Sequence, residues 1–541
     1  MTERQRQIKS IWMLSREYGN LAGAGGVKDV ACQLAESLAR WSGRSLHVVV
    51  PCYGFMDASA LGFAVLSDPL CENRPLRLQI AMHEPDSYVQ EEVGFYVQRL
   101  NRVWIYLVDA ARFRQKSAVY TYTEDDEIMV SWQKKSMGHH DYFAMNLLHQ
   151  KAALALMVCL DAKPDIIHCH DGHTAVLPGL IRENPGYRSY FRATGCLMTI
   201  HNAGFGYHQE VADIPYARSI TDLPDQIIQA NLLDKNFDPF LVAGTYAVIN
   251  TVSENYAREL QETVNDQLTG WLGHEFKRRG ITLHGVTNGI DPASFSSELI
   301  ASDEPAMLFD PGDPHDSMSG KLRCKAALLA EIAEGGAIAE IQRFGTLQNT
   351  AEHPLFTFIG RLSEQKGIDT LLEVMPVFLE KNETCQLLVL GSGNSGFESQ
   401  LVALTKNMRV HGRVCFLQGF SPHLANKIFA AGDFFIVPSR YEPCGLTDFI
   451  AQLFGNIPVV HQVGGLVKVE DGITGISYLG DTPRDLLHGL ARALALFVDV
   501  PAKRAMQLKA VELIRKSYTW TKVMQKYLEL YREAKVTQVC R

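Results

Sequence analysis

The sequence lacks long apolar runs. Nowhere do ~18 apolar residues follow one another, the length a membrane-spanning helix needs, so no membrane segment is expected. Residues 1–10 are polar and charged and lack the apolar stretch of a secretory leader, so a cytoplasmic location is expected. Basic residues are in deficit: 52 Lys and Arg against 60 Asp and Glu give a net charge of −8. Nucleic acids and anionic membranes select basic surfaces, so neither is an expected partner, and an uncharged or polyol substrate fits better. No C-x-x-C pair occurs, and the 11 cysteines are scattered and odd in number. In a chain this long they read as reduced thiols, most of them small core residues. No internal repeat is visible.

What is present is the composition of a large folded protein. At 541 residues, with 46% hydrophobic and 21% charged residues, the chain is long enough for two to four domains at ~100–200 residues each. Short apolar runs alternate with amphipathic helical stretches. Residues 11–15, 46–51, 165–169, 197–200 and 247–252 read as strands of the first half, with a glycine-rich turn at 18–26 and a helix at 27–41. Residues 354–360, 385–391, 414–419, 433–439 and 457–462 read as strands of the second half. Alternating β-branched strands and helices indicate parallel sheets covered on both faces. The expectation is α/β, two Rossmann-like domains facing across a cleft. The first spans 1–290, an interdomain segment spans 291–352 with a linker rich in Asp, Pro, Ser and Gly at 301–320 and a helix pattern at 321–334, the second spans 353–515, and a helical segment occupies 516–541.

Polar clusters fall at the ends of these strands, where open α/β sheets bind ligands. "GAGGVKDV" at 23–30 offers glycines that let backbone approach a phosphate, although a tight strand–helix turn explains it equally well. "HCHDGHT" at 168–174 has the residue types of a metal site. Successive strand residues point to opposite faces, however, so His168 and Cys169 do not share one site easily, and no metal is expected. Asp171 reads as a helix cap or as an acceptor for a sugar hydroxyl. His201 in "TIHNAGF" is a sugar-hydroxyl partner or a satisfied core histidine. In "IGRLSEQKG" at 359–367, Arg361 and Lys366 leave one strand end together and suit a departing diphosphate. In "PSRYEPCGLTDF" Glu442 lies on a tight loop before a helix, as a substrate clamp or as a partner of the helix dipole.

Taken together, these segments resemble bacterial glycogen synthases and plant starch synthases, in the right order from about residue 11 to 534. "PSRYEPCGLT", "IGRLSEQKG", "TIHN", "HCHDGHT", "TVSENYAREL", "VTNGID" and "LGSG" all match. The resemblance implies a GT-B fold and transfer of glucose, with retention, from ADP- or UDP-glucose to an α-1,4-glucan acceptor, without metal or other cofactor. It implies that Arg361 and Lys366 grip the diphosphate, that Glu442 clamps the donor glucose, and that His201 and Asp171 line the sugar site. It implies donor-binding positions at Gly25, Gly26, Lys28, Asn288, Gly391, Gly393, Phe420, Cys444, Gly445, Leu446 and Thr447. Phe420 stands where the family usually has a tyrosine. Three departures stand out. Gly23 replaces the lysine of the family's first loop, with Lys28 nearby. Gly172 replaces a tryptophan. Lys468 replaces an aspartate, in a segment about a dozen residues shorter. The alternatives are another retaining GT-B transferase with a small sugar acceptor, or a glucan-binding relative without catalysis.

Overall fold

The apolar runs form strands buried on both faces. The computed structural model describes residues 8–540 except 24, 41–43, 301–304 and 336–340. One unit contains residues up to Gly289 and those from Trp520 on; the other is Ile290–Thr519.

The first unit holds β1 (Ser10–Leu14), β2 (Ser45–Pro51), β3 (Gln90–Leu100), β4 (Val103–Ala110), β5 (Ile166–His170), β6 (Gly195–Ile200), β7 (Val248–Thr251) and β8 (Leu283–Gly285). They lie in the order β8-β7-β6-β5-β1-β2-β4-β3 within a 10-stranded sheet, whose two remaining strands pair with β3. The main strands are parallel except β3, which forms an antiparallel hairpin with β4. Asn101 and Arg102 turn that hairpin with φ of 47° and 72°, the left-handed twist that two-residue hairpins need. The chain runs from β1 to β2 and β4 on one side, then returns to β5 on the other. This reversal puts the segments that follow β1 and β5 side by side, where such sheets bind ligands. Helix α1 (Val27–Ala39) buries Val30, Ala31, Leu34 and Leu38 on one face. Helix α2 (Tyr142–Cys159) is buried along most of its length, and α3 (Glu254–Glu262) is capped by Ser253.

The second unit has β9 (Gln342–Thr346), β10 (Leu355–Ile359), β11 (Gln386–Gly391), β12 (Val414–Gln418), β13 (Phe434–Val437), β14 (Ile457–His461) and β15 (Ile476–Tyr478). Their order is β9-β12-β11-β10-β13-β14-β15, with β9 alone antiparallel. Its helices include α4 (Ser319–Glu334), α5 (Ile368–Lys381), α6 (Ser395–Thr405), α7 (Pro422–Ala431), α8 (Thr447–Leu453), α9 (Pro483–Val498) and α10 (Val500–Leu513). Strand residues alternate between two cores. Phe356, Phe358, Val389, Phe416 and Phe434 pack with α5, α6 and α9 on one face. Leu355, Leu388, Leu390, Leu417 and Phe435 pack with α4, α7 and α8 on the other. Each fully buried large apolar side chain contributes ~1.5–3 kcal/mol over an exposed one, which holds the three layers together.

The structure amends two expected segments. Within 291–352 the helix read at 321–334 is α4, which covers one face of the second sheet, and β9 forms that sheet's edge, so the stretch is more than a linker. The last helix, α11 (Trp520–Cys540), belongs to the first unit. There Tyr527 and Tyr531 are buried, the Trp520 indole N–H donates to Gln33 of α1 at 2.6 Å, and Lys535 pairs with Asp165 at 2.7 Å.

Candidate functional site

In the second unit, β10 and β13 are neighbours at the point where the strand order reverses. The loops that leave them are joined. Arg440 N–H donates to Gln365 O at 3.0 Å, and the Gln365 amide donates to Tyr441 O at 3.2 Å. This brings Lys366 onto Glu442: Nζ donates to Oε2 at 2.6 Å, and the Ser439 hydroxyl donates to the same oxygen at 3.0 Å. Glu442 is buried, 8% exposed. Burial pushes its carboxyl up, but Lys366, the two hydrogen bonds and Lys468 outweigh it and hold the pKa below the ordinary value. Glu442 therefore stays ionised. Its carbonyl accepts Gly465 N–H at 2.8 Å, and a Cβ on Gly464, at φ 49°, would stand 1.9 Å from that carbonyl oxygen. Only glycine allows this approach.

Arg361 is exposed at the end of β10. Gly391 and Gly393 cross the same loop: a Cβ would stand 2.1 Å from Gly360 O and 2.4 Å from Leu362 O respectively. Their lack of a side chain therefore serves chain packing, and the Gly393 N–H is taken by Glu398 at 2.9 Å. Phe420 is exposed and presents its ring to solvent. Cys444 is buried, and Gly445 takes φ 71° before Leu446 and Thr447 begin α8. Beneath them lies Lys468, which the sequence singled out only as a departure. Its ammonium donates to Cys444 O at 2.5 Å, Gly445 O at 2.7 Å and Gly465 O at 3.1 Å, and pairs with Asp448 at 3.1 Å. It ties the Glu442 loop to the next one.

In the first unit, β5 and β6 deliver Asp171 and His201. Asp171 makes no cap bond to the turn that follows it. Its Oδ1 instead accepts His201 N–H at 2.7 Å. It sits at φ 59°, ψ 175°, a conformation almost confined to glycine and found mainly where function maintains strain. Burial raises its pKa, backbone N–H groups of His201 and Asn202 oppose this, Glu17 adds to it, and the carboxyl is pushed up to about 7. His201 is buried and its pKa falls to about 3, so the ring is neutral. Its Nε2 shares a 2.9 Å hydrogen bond with Nδ1 of His170. Nε2 of His170 is buried without a partner. A bare lone pair there costs less than an orphaned N–H, so His170 donates to His201, whose own proton sits on Nδ1. His168 is engaged at both nitrogens, by Tyr531 of α11 at 2.9 Å and Thr199 at 2.7 Å. Asn288, just after β8, is buried, and its Oδ1 has no partner.

The glycine-rich turn differs from an open anion cradle. Gly25 N–H donates to Oε2 of Glu17 at 3.2 Å, and Tyr120 donates to Oε1 at 2.5 Å. Gly26 is the residue preceding α1 and has helical φ and ψ. The Lys28 stem lies over Gly23, where a Cβ would stand 2.4 Å from Lys28 Cδ. Lys28 thus occupies the space into which a side chain at position 23 would project. Among the described residues no carboxylate lies within 4.0 Å of its ammonium. Glu17 escaped the sequence reading because it stands just before the glycine-rich turn and carries no motif of its own.

Comparison with known proteins gives the family and the fold. The starch synthase catalytic domain family matches residues 10–274, and the family called glycosyl transferases group 1 matches residues 353–496. The chain is 28% identical over 537 residues to a glycogen synthase of Geotalea uraniireducens, covering 97% of this chain and 98% of that protein. It is 28% identical over 543 residues to one of Vibrio cholerae, covering 97% and 99%. Among solved structures it is similar to the catalytic domain of starch synthase IV from Arabidopsis thaliana bound to ADP and acarbose. That likeness has a TM-score of 0.76 and 22% identity over 98% of this chain and 99% of that one. Sucrose-phosphate synthase of Thermosynechococcus elongatus follows at a TM-score of 0.53 and 16% identity, covering 98% and 100%. These structural likenesses bear on the fold, which is that of GT-B glycosyltransferases.

Proposed function

Since the chain belongs to the glycogen and starch synthase family and is a nucleotide-sugar glycosyltransferase of that type, we propose that it moves glucose from ADP- or UDP-glucose to the non-reducing end of an α-1,4-glucan, with retention. The C1–O bond to the diphosphate breaks, a bond from C1 to O4 of the acceptor forms, and the hydroxyl proton leaves with the nucleoside diphosphate. The observation that carries the reading is the Lys366–Glu442 pair at the reversal of the second sheet. Glu442, kept ionised, accepts hydrogen bonds from the donor glucose. Lys366 and Arg361 neutralise the charge that grows on the leaving diphosphate, in place of a metal ion. The exposed Phe420 ring offers a face to the base, and the loop of Cys444, Gly445, Leu446 and Thr447 brings backbone to the donor. Gly391 and Gly393 let the neighbouring loop approach on the nucleotide side. In the first unit, neutral His201 donates its Nδ1 proton to a sugar hydroxyl, while Asp171 holds the His201 backbone. Asn288 offers its unpartnered Oδ1 to the same ligand. Lys28 supplies a cation to the turn of Gly25 and Gly26.

Gly23 favours a second reading, a glucan-binding relative without catalysis, because the cation of the family's first loop is missing there. The Lys28 stem over Gly23 counts against it. The described cysteines form no disulfide, which fits a reducing cytoplasm. No described helix is long and apolar enough to cross a membrane. The test is incubation of the purified protein with glycogen and either ADP-glucose or UDP-glucose, with and without EDTA. Release of nucleoside diphosphate that survives EDTA is expected with at least one donor. No release with either would overturn the proposal.

A further inference from the structure

Trp271 stands in a conformation that a bulky residue rarely takes. Its φ is 68° and its ψ 28°, directly after Gly270 at φ 65°. Such an outlier persists only where the surroundings over-determine it, and it points to a function to be sought. Burial does not compensate it, because the residue is 45% exposed. Among the described residues the indole N–H makes no hydrogen bond. The frame beneath is rigid. The carboxylate of Asp266, fully buried, accepts from the Thr269 hydroxyl at 2.5 Å, from the Gly273 and His274 N–H groups at 3.0 and 2.8 Å, and from His274 Nδ1 at 2.8 Å. Trp271 N–H donates to Asp266 O at 3.0 Å, and the indole packs edge-on against His274 with ring centres 5.0 Å apart.

A second exposed ring lies alongside. Phe205 is 70% exposed, and a Cβ on Gly270 would stand 3.4 Å from its Cε1. Phe205 is carried by the loop of His201, which is itself pinned: Ala203 O accepts from His208 Nε2 at 2.8 Å, and Ala203 N–H donates to Tyr256 at 3.1 Å. Two aromatic faces are therefore held open to solvent on a fixed base beside a candidate sugar site.

We propose that Phe205 and Trp271 form a stacking platform for glucosyl residues of the acceptor glucan. This deepens the functional reading above and rests on it. The apolar C–H face of a pyranose ring matches an exposed aromatic ring, while its hydroxyls stay in water. A protein partner fits less well, since a stable interface needs ~800 Å² on each side and two rings supply a small part of that.

The test uses the full chain with Trp271→Gly, Phe205→Ala and the double variant. Each single variant should raise the KM for glycogen about tenfold and leave the KM for the nucleotide-sugar unchanged. Retardation in glycogen-containing native gels should fall in parallel. Trp271→Gly should keep or raise Tm, because glycine takes this φ without strain. Unchanged glycogen KM and gel retardation in the double variant would overturn the platform. A change in sedimentation without a change in glycogen affinity would overturn it too, in favour of a protein contact. If the wild-type protein binds glycogen but transfers nothing, the proposed reaction falls, and the gels alone decide the platform.

Discussion

At Glu442 burial and charge are in direct opposition, and the charge partners prevail. Glu442→Ala should lower turnover about 10²-fold or more if this carboxylate positions the reacting sugar, with circular dichroism showing a folded protein. Near-normal turnover in that variant would remove Glu442 from the site. Asp171 titrates in the opposite sense. Its folded pKa of about 7 exceeds the ordinary 3.8. Stability linked to it is therefore full below about 4 and is lost as pH rises through 7. Asp171→Asn should abolish that decline in denaturant titrations at successive pH values; an unaltered pH slope would refute the raised pKa. Lys28→Ala should raise the donor KM, and adding Gly23→Lys should restore it, because the vacated space lies over Gly23. If Lys28→Ala leaves the donor KM unchanged, Lys28 is only a solvated helix charge. Much of this placement was legible in the sequence because strand ends place residues by rule, as with Lys366, Glu442 and His201. Glu17, Ser439 and the carbonyl grip of Lys468 were not. Each depends on which loops meet in space, and no local pattern encodes that.

At the scale of elements, most strands were legible because both faces are apolar, and their boundaries shifted by only a residue or two. The hairpin of β3 and β4 was missed. Its turn uses Asn101 and Arg102, and an arginine with positive φ is no turn signal. The strand β9 was also missed, since an edge strand with one partner needs few apolar residues. The loop between β6 and the next helix has an electrostatic anchor. Burial works against a charge on His208, but the Asp238 carboxylate at 2.6 Å and Ala203 O push its pKa up to about 9. The anchor's contribution to stability is full below the ordinary 6.5 and is lost as pH rises through 9. Thermal scans should show wild type losing stability across that window and His208→Gln lacking that loss. Parallel curves would mean that His208 is neutral in the fold.

At the scale of the whole molecule, one unit is continuous in sequence and the other is not. Ile290–Thr519 holds both cores of its own sheet, so a polypeptide of residues 290–519 should fold alone and unfold in one cooperative transition. Removing residues 520–541 should spare that transition in calorimetry and abolish the one of the first unit. The loss follows because Tyr527 and Tyr531 leave a buried face behind and His168 loses its partner. Survival of both transitions would make α11 an accessory. The position of α11 also sets a timetable. Chains leave the ribosome amino end first, and domains usually fold in that order. Here the amino-terminal sheet emerges early and must wait, one apolar flank open, while all of the second unit is made and folds. Only when α11 follows can it close, so the sheet translated before the second unit becomes native after it and is the part most in need of a chaperone's shelter.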